Sequence, residues 1–138
     1  CPSVKHVAMT LTISSELHRR LLADAAESPD AEICGILIGS SGIEHIVPAR
    51  NVSAHPARSF EIDPVTLFAA VRAERSGQGA ILGYYHSHPF GPPEPSPRDR
   101  DQAVADGRIW LIIGEGRVLA WRLDQTENFS AVELHIAD

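Results

Sequence analysis

The chain has 138 residues, 43% of them hydrophobic and 22% charged, with a formal charge of −6. That length predicts one domain over 1–138 with room for a buried core. The acidic balance excludes a nucleic-acid binder, which needs a basic face against phosphates, and no apolar run approaches a membrane span.

Residues 1–8 read as an upstream extension or an expression remnant, and they lack the apolar stretch of a secretory signal. Met9 opens the first patterned segment. Cys1 is terminal and Cys34 lies inside an apolar run, so no disulfide is expected and a reducing, cytoplasmic setting follows. Ser14 or Ser15 caps a helix over about 15–27, where Leu17, Leu21, Leu22 and Ala25 recur at helical spacing. The run 32–40 (EICGILIGS) predicts a buried strand, and 43–52 a second one joined through Gly42. Asp63-Pro64 then opens a helix to about Arg75, with aspartate as cap and proline in the first turn. Residues 80–88 (AILGYYHSH) form the next strand. The segment 89–97 holds five prolines in nine residues and can only be a stiff loop. Ser96-Pro97 starts a third helix to about Ala105, stopped by Gly107. Strands follow at 109–113, 118–123 and 131–136. This order predicts an α/β or α+β fold, a mixed sheet with helices packed against it.

The chemistry concentrates in one stretch: His86-Ser87-His88, then Ser96 and Asp99. Alternation along a strand turns His86 and His88 to one face, roughly 6.5–7 Å apart at Cα. A rigid loop can fold the start of the third helix over the strand end and bring the Asp99 carboxylate to both imidazoles. Two nitrogens, one oxygen and a free fourth position make the pattern of a catalytic zinc site, one ion per chain with a bound water. Histidine and carboxylate ligands also suit other divalent ions. Zinc lowers the pKa of such a water to about 7, and a proton acceptor is still required. Glu32, at the edge of an apolar run, is the candidate. Ser96 can donate to the oxyanion formed when water attacks a carbonyl.

These residues resemble the JAMM (MPN-plus) metalloprotease family: a glutamate on an early strand, then HSHP at 86–89 and SPRD at 96–99. EICGILIG at 32–39, PARN at 48–51 and FEIDP at 60–64 add to the likeness, which runs from about Leu11 to about Leu123. The resemblance implies a cytidine-deaminase-like sheet between helices. It also implies hydrolysis of an amide or isopeptide bond, commonly next to the Gly-Gly tail of a ubiquitin-like protein. Small prokaryotic members are associated with ubiquitin-like sulfur carriers, so a carrier or a peptide with an extended C-terminal tail is the implied partner. By the same resemblance His86, His88 and Asp99 bind zinc, Glu32 is the acid/base and Ser96 stabilises the intermediate.

Competing readings exist for each residue. A His-x-His pair alone carries little weight; its fixed offsets to Ser96 and Asp99 make it specific. Ser-Pro-x-Asp is also a good helix start. Glu32 is alternatively an exposed strand-end charge. Cys34 reads as a buried small hydrophobe. Tyr84 either lines the site or belongs to the core, and Phe90 either touches a substrate or packs its own loop. Trp110 and Trp121 read as core. His6, His18, His45, His55 and His135 have no ligand spacing. The alternative function is a non-catalytic MPN-type interaction scaffold. A deaminase is excluded, because neither His-x-Glu nor Pro-Cys-x-x-Cys occurs.

Overall fold

A computed structural model describes residues 10–126 and 128–138. The readings of His6 and of residues 1–8 lie outside them. Thr10–Ser14 (β1) alternates exposed threonines with buried Leu11 and Ile13, the period of a strand with one face on a core. Ser14 then accepts a hydrogen bond from the Leu17 N–H at 3.1 Å and caps Ser15–Ala26 (α1). Cys34–Gly39 (β2) and Gly42–Ala49 (β3) form a hairpin. Pro64–Arg75 (α2) starts at the Asp63 cap, as the Asp-Pro pair predicts. Ile81–Ser87 (β4) leads into the proline loop and Pro97–Gln102 (α3). Ile109–Gly114 (β5), Arg117–Leu123 (β6) and Phe129–Ala137 (β7) complete the chain.

Three expectations change. The first helix is preceded by a strand, β1, which pairs in parallel with β3 on one side and with β7 on the other. The sheet is mixed, as expected, but it closes on itself in the order β1-β3-β2-β4-β5-β6-β7 instead of staying an open layer. The third helix is also shorter than predicted. It ends at Gln102 because Ala103 is already extended (φ −73°, ψ 143°).

Both faces of the central strands are covered. Leu37 and Tyr85 join Leu11, Ile13 and Leu111 in a core that takes in Leu21 of α1. Ile36 and Ile81 face the other way and pack on Ala70 of α2. Being buried on both sides, β2, β4 and β5 read as continuous apolar runs. Among the described residues, no helix is long and apolar enough to cross a membrane.

The site depends on the β4–β5 pair. These neighbours are parallel, so their connection must cross over, and it carries the proline loop and α3. Gly83 permits the close approach of the two strands, since a Cβ there would overlap the backbone of Ile109. Gly83→Ala is therefore expected to destabilise the fold by about 3 kcal/mol. A denaturant midpoint equal to that of the parent chain would refute this.

Candidate metal centre

His86 and His88 sit at the carboxyl end of β4, and Asp99 in the first turn of α3. Alternation delivers both imidazoles to one side, as the spacing predicts. The proline loop returns α3 over them. His88 N–H donates to the Ile113 carbonyl at 2.7 Å, Trp121 Nε1 donates to the Pro93 carbonyl at 3.0 Å, and a Cβ on Gly114 would stand 2.6 Å from the Gly91 oxygen. The loop is thus laid tightly on the ends of β5 and β6. Pinning this loop is a role of Trp121 that its reading as a core residue misses.

His86 Nε2, His88 Nε2 and Asp99 Oδ2 form a nearly equilateral triangle, with edges of 3.1, 3.1 and 3.0 Å. Hydrogen bonds cannot satisfy all three edges, because each Nε2 carries at most one proton. If both protons point at Asp99, nothing joins the imidazoles. A cation resolves the conflict, since an ion with bonds of roughly 2.0–2.2 Å reaches all three atoms. Among the described residues, His86, His88 and Asp99 are the group able to hold a metal.

The surroundings leave these atoms able to serve as ligands. His88 Nδ1 lies 2.8 Å from the Pro92 carbonyl and must donate to it, which leaves the Nε2 lone pair facing the triangle when the ring is neutral. His86 is fully buried. Burial lowers its pKa and outweighs the attraction of Asp99, so the ring is held neutral. Its Nδ1 has no partner among the described residues. The ring is instead clamped between Phe60, stacked at 4.3 Å, and the edge of Trp110 at 5.6 Å. Burial would raise the Asp99 carboxyl, but hydrogen bonds from both imidazoles and from the Ser96 N–H prevail and hold it well below the usual range. Burial likewise opposes protonation of His88, while Asp99 and the Pro92 carbonyl favour it, and the net shift is upward. A proton therefore competes with a metal at His88.

Glu32 lies two residues before Cys34, and Cys34 pairs with His86 across β2 and β4. Continuing this antiparallel register sets Glu32 opposite His88. The residue is 5% exposed, which overturns the strand-end reading, and it precedes β2 instead of starting it. Its Oε1 has no hydrogen-bond partner among the described residues. Desolvation by burial raises its pKa to about 7, against a smaller lowering by His88. The native state therefore binds this proton more tightly than the unfolded chain, and between pH 4.5 and 7 stability falls as pH rises. Metal-free protein is expected to lose up to about 3 kcal/mol across that window relative to metal-free Glu32→Gln. Parallel pH curves from chemical denaturation would contradict this.

Ser96 caps α3. Its Oγ accepts from the Asp99 N–H, and its own N–H donates to Asp99 Oδ2, both at 3.0 Å. Helix start and placement of the Asp99 carboxylate are thus one device. Glu32, His88 and Ser96 line a cavity of about 670 Å³, walled by Arg58 and by loop residues such as Pro89 and Phe90. Phe90 is 72% exposed on this wall. Tyr84 stands elsewhere, in the core beside α2 and under the Arg108 guanidinium. Cys34 is buried, with its sulfur toward the Ala49 and Arg50 carbonyls.

Two imidazoles and a carboxylate at a strand end could hold one metal ion, beside a buried glutamate whose Oε1 has no partner among the described residues. The chain belongs to the family described as prokaryotic homologs of the JAB domain, which matches residues 14–124. It is 34% identical over 134 residues to a protein named desampylase from Haloferax volcanii, covering 89% of this chain and 96% of that one. It is 32% identical over 136 residues to a probable TtuB-protein conjugate cleaving protease from Thermus thermophilus, covering 97% and 89%. In three dimensions it matches the solution structure of a Desulfitobacterium hafniense protein with a TM-score of 0.79, 25% identity and 93% of each chain. A JAB1/MPN domain protein from Archaeoglobus fulgidus aligns with a TM-score of 0.60 over 96% of this chain and all of that one; at 16% identity it shares the fold alone.

Proposed function

We propose that this chain is a zinc-dependent hydrolase that cleaves an amide or isopeptide bond at the C-terminal Gly-Gly tail of a ubiquitin-like or sulfur-carrier protein. The observation that carries the reading is the triangle of three donor atoms with edges of 3.0–3.1 Å. The relatives named as desampylase and conjugate cleaving protease support it. His86, His88 and Asp99 hold the ion in this reading. When bound, zinc supplies a Lewis acid that polarises a carbonyl and makes water more acidic.

The remaining steps fall to the chain's own groups. Glu32 takes a proton from the attacking water and returns it to the leaving amine. The Ser96 hydroxyl oxygen is occupied as a helix-cap acceptor, so its proton is free to meet the carbonyl oxygen as charge develops there. The cavity takes the substrate's tail in extended form along Pro89, Phe90 and Gly91. A reducing cytoplasmic setting fits a buried free thiol at Cys34. A cytidine-deaminase-like arrangement of the sheet belongs to the same reading. The scaffold alternative is not favoured, because the donor set is complete.

The test is direct. Zinc-loaded protein is incubated with ubiquitin-like sulfur carriers extended past Gly-Gly, and products are read by intact mass. A product ending at Gly-Gly is expected. Extended carriers left uncut by protein with stoichiometric zinc would overturn the assignment.

A further inference from the structure

Glu32 stands just outside the hydrogen-bond ladder of its own sheet. The ladder reaches Ile33, whose carbonyl accepts from the Ser87 N–H at 3.1 Å and whose N–H donates to Ser87 Oγ at 2.9 Å. The main-chain groups of Glu32 are held instead by the irregular segment 51–62, which a bridge between Asn51 and Ile62 closes. Glu32 N–H donates to the Pro56 carbonyl at 2.7 Å. The Glu32 carbonyl accepts from Asn51 Nδ2 at 3.0 Å.

Asn51 uses its whole side-chain amide in this segment. Nδ2 also donates to the Ser59 carbonyl, and Oδ1 accepts from the Ser53 and Glu61 N–H groups, all at 3.0 Å. One planar group thus shapes the loop and ties it to the residue carrying the buried carboxylate. Aspartate at this position keeps both acceptor contacts but has no donor for the Glu32 carbonyl.

We infer that Asn51 is a positioning residue that holds the main chain of Glu32 so that its carboxylate faces the His86–His88–Asp99 cluster. This rests on the acid–base role proposed for Glu32. None of these Asn51 hydrogen bonds goes to the three donor atoms or to the proline loop, and Asn51→Asp keeps both acceptor contacts within the segment that carries Arg58 and Phe60, so this change acts on the proton step and spares metal and substrate binding.

The experiment uses the whole zinc-loaded chain and a ubiquitin-like carrier extended past Gly-Gly. For Asn51→Asp, kcat, KM, zinc affinity by chelator competition and thermal melting are measured, in the parent and in the Glu32→Gln background. We expect kcat to fall about 10–100-fold, with KM and zinc affinity within about 3-fold of the parent. In the Glu32→Gln background Asn51→Asp should cost no further activity, because both changes remove one function. Where Asn51→Asp does not fold, Asn51→Ala, which brings no charge, takes its place. Parent-like kcat, an equal loss in both backgrounds, or weakened zinc binding overturns the inference. Full activity in Glu32→Gln alone overturns the acid–base reading and this inference with it; an inactive Glu32→Gln beside an active Asn51→Asp overturns this inference alone.

Discussion

Glu32→Gln is expected to keep its metal and lose roughly 10²–10⁴ in turnover, the usual size of a general acid–base contribution. In barrier terms that is about 3–5 kcal/mol. Glutamine matches glutamate in shape but cannot carry a proton between water and a leaving amine. The three donor atoms belong to other residues, so zinc content by elemental analysis should stay at one per chain. The pH dependence gives an independent reading. Burial pushes Glu32 up to about 7 in the metal-free chain, and a nearby cation favours the charged form. The base form therefore accumulates with rising pH, and kcat/KM of the parent should climb along an acid limb at or below that value. The residual activity of the variant should lack this limb. Full activity in Glu32→Gln would remove the residue from the mechanism.

What the sequence made legible follows from which contacts are local. His86 lies in β4 and His88 directly follows its last residue, so the strand's alternation carries both to one side. Asp99 is reached through a loop whose prolines leave little freedom, and its cap with Ser96 is spelled within four residues. Glu32 stood out as a charge at the edge of the apolar run Ile33–Ile38, and β4 then supplied the facing histidine. Long-range pairings were not legible. β1 has only two buried alternations, and its partner Leu134 lies 123 positions from Leu11, so closure of the sheet left no local trace. The end of α3 was misplaced because residues 103–106 contain no breaker before Gly107. Phe60 and Asn51 could be read as parts of a likeness, but their jobs depend on where an irregular segment returns to the sheet. The stack on His86 and the hydrogen bond to Glu32 appear only once the chain has folded.

Asp99→Asn separates the metal from the fold. The carboxylate has two duties on one oxygen: Oδ2 faces both imidazoles and accepts the Ser96 N–H at 3.0 Å. An asparagine oxygen can still accept that N–H, so the start of α3 should survive and thermal stability of the metal-free protein should change little. The charge that draws a cation is lost, and a ligand oxygen becomes a weak neutral donor. Zinc affinity is expected to fall by at least about 100-fold, with activity falling in proportion to the bound metal. The imidazoles report the same loss. Asp99 now favours protonation of His88 and opposes the neutral state that burial imposes on His86. Without its charge both rings should titrate lower in the metal-free chain, visible as shifted histidine resonances. Parent-like zinc content after competition with a chelator would show that the third donor lies elsewhere.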